Sequence, residues 1–339
     1  MSKLRIFFVC ILVVGISSLS TSESNASDDN KPFNVTSAGI STKGFFKVIL
    51  EGLHAIYRDS YPGTSATFKP GTVAGGMVQA AGAEADIATA MPPVELQRGL
   101  KGIAPFPEPL EGKLMAVMTI LDKLEFYFLA NKAWADKNGI KVMADIGKAK
   151  PKANVALNRK GTFYINVAAE EIFKAYGFTV ADLENWGGNI NYYATGPGIK
   201  DLKDGKVDFM VGAGFHPDRR IKDLASTRGI IWLDVGSDVL KATAKKLDMT
   251  VSTVPDAFYT FTSTDVSTLR ATTLMGAGAH VPEATIYKVV RSVAENLDRI
   301  KAIHPVFKDF SIKTMYLKSD IIPWHPGAIK YYKEVGAGS

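Results

Sequence analysis

The side chains best suited to moving protons or holding a metal are five histidines: His54, His216, His280, His304 and His325. They are scattered, and none stands in a His-Glu-x-x-His arrangement or another spacing that puts two imidazoles on one metal. His304 and His325 precede prolines, which favours extended or turn backbone at both. Structural or surface roles account for all five. There is no Gly-x-Ser-x-Gly turn to present a serine nucleophile and no phosphate loop ending in Gly-Lys-Ser/Thr. Gly71, Gly75 and Gly76, like Gly212 and Gly214, are too loosely patterned for a dinucleotide fingerprint. No catalytic constellation is expected, no metal and no cofactor.

Binding chemistry is better represented. Three loops combine glycine, a hydroxyl and positive charge just ahead of a helical pattern: Ser41-Thr42-Lys43-Gly44, Lys69-Pro70-Gly71-Thr72-Val73-Ala74-Gly75-Gly76, and Arg159-Lys160-Gly161-Thr162. Free backbone N–H groups at a helix start, beside a cation, suit a carboxylate. For any one loop, a plain alternative stays open: Thr42 and Thr162 as N-caps and the glycines as turn residues. Arg159 is the sharpest single candidate, because a guanidinium can hold a carboxylate through two parallel hydrogen bonds; its alternative is a surface arginine. Phe45, Phe163, Tyr192, Tyr193 and Phe215 could wall a pocket or serve as core.

Composition limits where such a site operates. Lys3 and Arg5 precede an apolar run from Ile6 to Ile16, followed by a Ser/Thr-rich stretch with small residues at Ser24 and Ala26. That is the layout of an export signal, residues 1–26, with the mature chain beginning near Ser27. An uncleaved anchor is the alternative, although the run is shorter than the ~20 residues needed to span a bilayer. Cleavage removes Cys10, the one cysteine, so the mature chain has no disulfide or thiolate chemistry. It also removes Lys3, Arg5 and Glu23, taking the net charge from +6 to +5. That surplus is modest, and its densest run, Lys148 to Lys152, reads as a solvated connector rather than a nucleic-acid groove. No nucleic-acid partner is expected, and a monomer is.

The elements that must position these loops form an α/β pattern. A strand over Phe33–Val35 leads through a loop to a helix whose Phe45, Ile49, Leu53 and Ile56 share one face. A strand at Ile87–Ala90 and apolar runs at Leu114–Leu121 and Phe126–Ala130 follow. A second block opens with a strand at Val155–Leu157 and a helix carrying Val167, Ile172 and Tyr176. Strands at Val207–Val211 and Ile230–Val235 complete it, and a helix from Glu283 to Lys301 comes late. Two such blocks predict two lobes about a cleft, with a hinge. Lobe one is expected over residues 27–124 plus 236–339 and lobe two over 125–235. Ligands of open α/β sheets sit at the carboxyl ends of the strands.

The chain resembles the TAXI branch of solute-binding proteins, which serve TRAP (tripartite ATP-independent periplasmic) transporters. The closing segment WHPGAIKYYKEVG, Trp324 to Gly336, is similar to that family's His-Pro-Gly-Ala-x-x-Tyr-Tyr ending. LKDGKVDFMVGAGFHPDRRIKDLA, Leu202 to Ala225, resembles its Asp-Gly-x-x-Asp and Gly-x-Pro pattern, and AEADIA, Ala83 to Ala88, its Gly-Glu-Ala-Asp element. The resemblance implies a two-lobed periplasmic-binding-protein fold of type II kind. It implies an ion-gradient transporter with large and small membrane subunits as partner, and glutamate, a related dicarboxylate or an oxo acid as ligand. Carried over by position, the contacts would be Thr42, Lys43, Gly44 and Phe45; then Gly71, Thr72, Val73, Ala74 and Gly75. In lobe two they would be Arg159, Lys160, Gly161, Thr162 and Phe163, with Gly214, Phe215, His216 and Pro217 near the rim. The chain departs from the family pattern where GTVAGG lacks an asparagine, where RKGT replaces Gly-Ser-Gly-Thr, and where Phe45-Phe46 replaces tyrosines. The rivals are the binding component of an ATP-driven importer, an exported enzyme on the same lobes, and a surface protein with no transported ligand.

Overall fold

Two long antiparallel strands organise the chain. The computed structural model describes residues 30–42, 45–160, 163–317 and 321–337. The expected export signal, and Lys43, Gly44, Gly161 and Thr162, lie outside the described residues. In the first block β1 (Asn34–Ile40), β2 (Ser65–Pro70) and β3 (Ile87–Met91) alternate with α1 (Phe45–Ser60), α2 (Val73–Ala81) and α3 (Pro93–Leu100). β1 runs to Ile40, well past the expected Val35, because Ser37 and Ala38 are buried and pair with β2 and β3.

The runs at Leu114–Leu121 and Phe126–Ala130 are one strand of 18 residues, β4 (Leu114–Asn131). The second block follows with α4 (Lys132–Asn138), α5 (Met143–Ala149), β5 (Asn154–Leu157), α6 (Phe163–Ala175) and α7 (Val180–Asn185). Next come β6 (Asn189–Tyr192), α8 (Thr195–Asp204), β7 (Phe209–Gly214), α9 (Arg219–Thr227), β8 (Ile230–Trp232), α10 (Ser237–Leu247) and β9 (Thr250–Val254). The chain then crosses back along β10 (Val266–Gly278) to α11 (Glu283–Ala294), α12 (Leu297–Ile303), α13 (Ile312–Met315) and α14 (Pro326–Glu334).

The strands form a single mixed sheet in the order β2-β1-β3-β10-β4-β7-β5-β6, with β8 on β4 and β9 on β10. Each block contributes a parallel triplet with the same connectivity, β2-β1-β3 and β6-β5-β7. Between them the pair β4 and β10 exchanges partners. Near Leu124↔Ala271 and Glu125↔Arg270, β10 passes from β9 to β3 and β4 passes toward β7.

The cores follow that division. Phe126, Phe128, Val155, Ile172, Phe173 and Phe209 belong to one cluster, and Val35, Ile49, Leu53, Val290 and Tyr332 to another. Leu240, Ala244, Leu247 and Met249 pack in the second block's core. The chain therefore returns to the first block within β10, not just after Val235 as its apolar pattern suggested. The late helix is also two: α11 ends at Glu295, and Asn296 (φ −124°, ψ 34°) breaks the path before α12.

The closing segment has a packing role. Pro326 opens α14, and His325 Nδ1 accepts the Gly327 N–H at 3.2 Å while Nε2 faces the Val281 carbonyl at 3.0 Å. A Cβ on Gly327 would lie 2.2 Å from the Glu283 carbonyl oxygen, so only glycine lets α14 sit this close to α11. Tyr332 is fully buried and donates to the Val117 carbonyl at 3.1 Å. The ending that carries the family resemblance holds the last helix against the first core.

Candidate functional site

The predicted loops follow the carboxyl ends of β1, β2, β5 and β7. On the first side Thr42 is exposed, and Phe45, the first residue of α1, is half-buried. Its ring centroid lies 4.6 Å from Phe215, 4.8 Å from His304 and 6.4 Å from Phe307. Phe215 follows directly on β7 and packs against both principal cores, so Phe45 and Phe215 join the two blocks.

The second loop is mostly structural. Thr72 is the N-cap of α2, its Oγ1 accepting the Gly75 N–H at 3.0 Å. Gly71 is exposed, and a Cβ there would meet nothing. Val73 is half-buried and Ala74 buried. The tight position is Gly76, where a Cβ would fall 2.3 Å from the Gly39 Cα. The glycine pair thus lets α2 touch β1.

In the second block the loop after β5 is pinned by two buried asparagines. Asn166 Oδ1 accepts the Asn158 N–H at 2.8 Å, and its amide donates to the carbonyls of Asn158 and Arg159 at 2.9 and 3.2 Å. Asn158 Oδ1 accepts the Arg159 N–H at 2.9 Å, and its amide donates to Thr195 at 3.1 Å. Arg159 and Lys160 themselves are exposed, with Lys160 Nζ 4.9 Å from the Tyr192 ring centroid. Phe163 opens α6. The two arginine-bearing and lysine-bearing positions therefore present charge at a mouth whose backbone is held by neutral amides.

One contact between the two blocks was not foreseen. Glu95, on α3 of the first block, is wholly buried, and its Oε1 accepts the Tyr164 N–H at 3.1 Å. Tyr164 is the second residue of α6, so a carboxylate from one block sits on the helix N-terminus of the other. Unpaired N–H groups and the helix dipole favour an anion there. Burial, and then the Glu95 charge, raise the Tyr164 hydroxyl above its ordinary range. Val94, beside Glu95, packs in the second block's core.

The rim after β7 is a polar network. Gly214 is buried and Pro217 exposed. The Asp218 N–H donates to Tyr259 Oη at 2.7 Å, and that hydroxyl lies 2.6 Å from His216 Nδ1. Because an N–H can only donate, Tyr259 Oη accepts from Asp218, and one proton lies between that hydroxyl and His216 Nδ1. Burial pushes the His216 pKa down to about 4, which keeps the imidazole neutral near pH 7. Arg220 holds Asp218 through Nε at 3.0 Å and Nη2 at 2.5 Å. Gly212 leaves room for the Tyr127 ring, which a Cβ would meet at 2.4 Å.

The structure thus places Thr42, Phe45, Arg159, Lys160, Gly214, Phe215, His216 and Pro217 at or just beyond strand ends, brings Phe45 and Phe215 together, and turns Thr72 and its neighbours to helix capping and packing. Asn158, Asn166, Glu95, Tyr259 and His304 were missed as site residues. Asn158 directly ends a strand ahead of a loop with Gly161-Thr162, a signal that could have found it. A further concavity of about 580 Å³ lies away from these strand ends, along α4, β8 and the segment entering β10. Among the described residues no group of three or more His, Cys, Asp or Glu is gathered as for a metal. No described helix is long and apolar enough to cross a membrane.

Comparison with known proteins agrees with this architecture. The structure is similar to that of MatC from Rhodopseudomonas palustris with bound malate, with a TM-score of 0.51 and 14% identity over 81% of this chain and 88% of that one. It is similar to PhnD1 from Prochlorococcus marinus in complex with methylphosphonate, with a TM-score of 0.56 and 10% identity over 90% and 98%. The α/β fold, a mixed sheet spanning two lobes, is that of periplasmic binding proteins. A family model matches residues 76–336, so the chain belongs to the NMT1-like family.

Proposed function

We propose that this protein is an extracytoplasmic solute receptor that takes a small organic anion between its lobes and delivers it to the large and small membrane subunits of a TRAP-type secondary transporter. The observation that carries the anion assignment is the Glu95 contact: the N-terminus of α6 accepts a carboxylate arriving from across the cleft. Glutamate, a related dicarboxylate or an oxo acid fits that chemistry. The malate and methylphosphonate of the two similar structures are also anions. Phe45 and Phe215 would wall the ligand, and Arg159, Lys160 and Lys43 would raise the local potential. Thr42, Gly44, Gly161, Thr162 and Phe163 would offer further contacts from the two loops, and His216 a neutral N–H donor at the rim. In this reading the lobes meet near Leu124 and Ala271, and the crossing pair β4 and β10 is the hinge about which they close on ligand. Export follows from residues 1–26, and the receptor acts as a monomer without a cofactor.

The test is mass spectrometry of solute released from gently purified protein, followed by calorimetric titration of the compound found. A stoichiometric organic anion is the expected result, and a cationic or neutral solute would sink the anion assignment. The transporter class is tested separately, by reconstitution with candidate membrane subunits. Uptake driven by an ion gradient supports the TRAP assignment, and strict dependence on ATP hydrolysis would replace it with an ATP-driven importer.

A further inference from the structure

We infer that the first turn of α8 is an oxyanion position, where the Thr195 and Gly196 N–H groups, the Arg220 guanidinium and the Tyr127 hydroxyl together hold one carboxylate or phosphonate group. The inference rests on the anion-receptor reading for its natural ligand, and it adds a position in the second lobe separate from the α6 contact. α8 is a 10-residue helix that starts just beyond β6, and its N-cap, Ala194, gives no side-chain hydrogen bond. Within the first turn Pro197 has no N–H, and the Gly198 N–H donates to the Ala194 carbonyl at 3.2 Å. The Thr195 and Gly196 N–H groups meet no acceptor among the described residues. Both residues are half-buried and Pro197 is exposed, so solvent reaches the turn. A helix start left in this state favours an anion.

A second, independent observation points to the same place. Tyr127 has no exposed surface, and its hydroxyl makes no hydrogen bond. A buried hydroxyl without a partner is costly, and phenylalanine would fill the space without that cost. The Thr195 side chain, the Arg220 guanidinium and the Asp218 carboxylate all bear on the ionisation of this hydroxyl, which sets it beside the start of α8. A Cβ on Gly214 would lie 3.5 Å from Tyr127 Cε1 and 3.7 Å from Arg220 Nη2, and one on Gly196 would lie 3.9 Å from Arg220 Nη1. The guanidinium therefore reaches from the end of β7 to the first turn of α8. Its Nε and Nη2 hold Asp218 at 3.0 and 2.5 Å, which leaves Nη1 for a ligand. Thr195 Oγ1 accepts the Asn158 amide at 3.1 Å, so its own proton is left to donate. Two N–H groups, two hydroxyls and one guanidinium nitrogen thus gather as donors, while the neighbouring carboxylate is already held on both oxygens. Donors without acceptors suit a group that only accepts, and charge-assisted bonds to an oxyanion are the strong kind.

The test is titration of the full chain with sodium acetate and, separately, sodium methylphosphonate, at an ionic strength held constant with sodium chloride. The amide resonances of Thr195 and Gly196 are followed by nuclear magnetic resonance. At least one of the two anions should shift both amides saturably, and the tighter of them tells a planar from a tetrahedral group. Tyr127→Phe should raise that dissociation constant about 10-fold, or about 1.4 kcal/mol. The same variant should melt at or above the parent's temperature, because the hydroxyl has no partner within the protein. Arg220→Lys keeps a cation for Asp218 but loses the fork, and should weaken binding at least ~3-fold. Amides that neither anion moves overturn the inference. Tyr127→Phe binding within about twofold of the parent overturns it as well, since the hydroxyl then does not reach the anion. A clear fall in its melting temperature does the same, because the hydroxyl then serves the fold. Saturable binding at these amides in a protein that carries a cationic or neutral solute would sink the anion-receptor reading and leave the position standing. Release of an organic anion from a protein whose Thr195 and Gly196 amides ignore both probes would do the reverse.

Discussion

α2 follows β2 in the first lobe and α6 follows β5 in the second, and the two helix N-termini are capped in opposite ways. α2, in the first lobe, is capped by its own Thr72, three residues from the N–H it accepts. α6, in the second, receives Glu95 from the other lobe, 69 residues away in sequence. A local cap is unaffected when lobes separate, because donor and acceptor move together. A cap lent across the cleft is lost on opening. The loop at residues 69–76 thus carries a cap of its own while α6 takes one from the other lobe, although the two loops share glycine, hydroxyl and positive charge in sequence.

The largest expected effect strikes the local side of this contrast. A valine at position 76 would drive a Cβ into the Gly39 backbone, where neither partner can turn away. Gly76→Val should therefore lower unfolding free energy by about 3 kcal/mol, the upper end of ordinary overpacking. Urea denaturation followed by circular dichroism measures it. A loss below about 1 kcal/mol would show that α2 can slide off β1, and the loop at residues 69–76 would regain its claim as a movable binding element.

The second lobe's loop is held by amide side chains instead. Asn166→Ala removes one acceptor and two donor contacts from the backbone of Asn158 and Arg159. Leaving such buried groups unpaired should cost about 2 kcal/mol. The same denaturation series reads it, and solute affinity should fall with it because Arg159 and Lys160 lose their fixed backbone. Stability lost with affinity unchanged would place the ligand elsewhere.

These residues show what the sequence made legible. Period-two and period-3.6 patterns exposed β3, β5, α1 and α6, because each has a buried face written into neighbouring residues. β10 escaped notice, since Ser267, Thr268, Thr272 and Thr273 dilute its apolar pattern although Thr268 and Thr273 are buried. The break between α11 and α12 was hidden because Leu297 and Ile300 continue the apolar stripe across it. The position of the return crossing was also hidden, because an amphipathic helix such as α10 does not say which core it joins. Glu95 stands in the first turn of α3, and that its carboxylate serves the Tyr164 N–H of α6 is written in no local pattern. Arg159 drew attention by its chemistry, while the buried groups that position it are uncharged.

A smaller effect sharpens the comparison of the two caps directly. Thr72→Ala should destabilise the protein by about 1 kcal/mol, the usual worth of an N-cap. It should leave Tyr164 amide exchange unchanged, because nothing in the Thr72 cap crosses the cleft. Faster exchange at Tyr164 in Thr72→Ala would mean the two caps are coupled, and the division between a structural and a functional loop would fail.

The smallest effect separates the lobes through their buried histidines. In the first lobe, burial and then the nearby Arg58 and Lys47 push His54 down to about 4, where it faces Ser37 Oγ at 3.0 Å. In the second, burial pushes His216 to about 4 as well. Both have an ordinary value of 6.5, so between pH 6.5 and about 4 the unfolded chain binds protons that the folded chain refuses. The unfolded state holds the larger number of protons in that window, so stability rises with pH across it and is lost as pH falls. From pH 7 to pH 6, only the edge of the window is crossed, and each histidine should contribute a loss of about 0.7 kcal/mol. His216→Gln keeps an acceptor for Tyr259 and removes the titration. Denaturation of the parent and this variant at pH 7 and pH 6 should therefore differ in slope by that amount, with His54 supplying the slope that remains. Identical slopes would mean that His216 takes up a proton in the folded protein as readily as in the unfolded one. That result would mean that the rim of the second lobe is open to water rather than closed around a neutral imidazole.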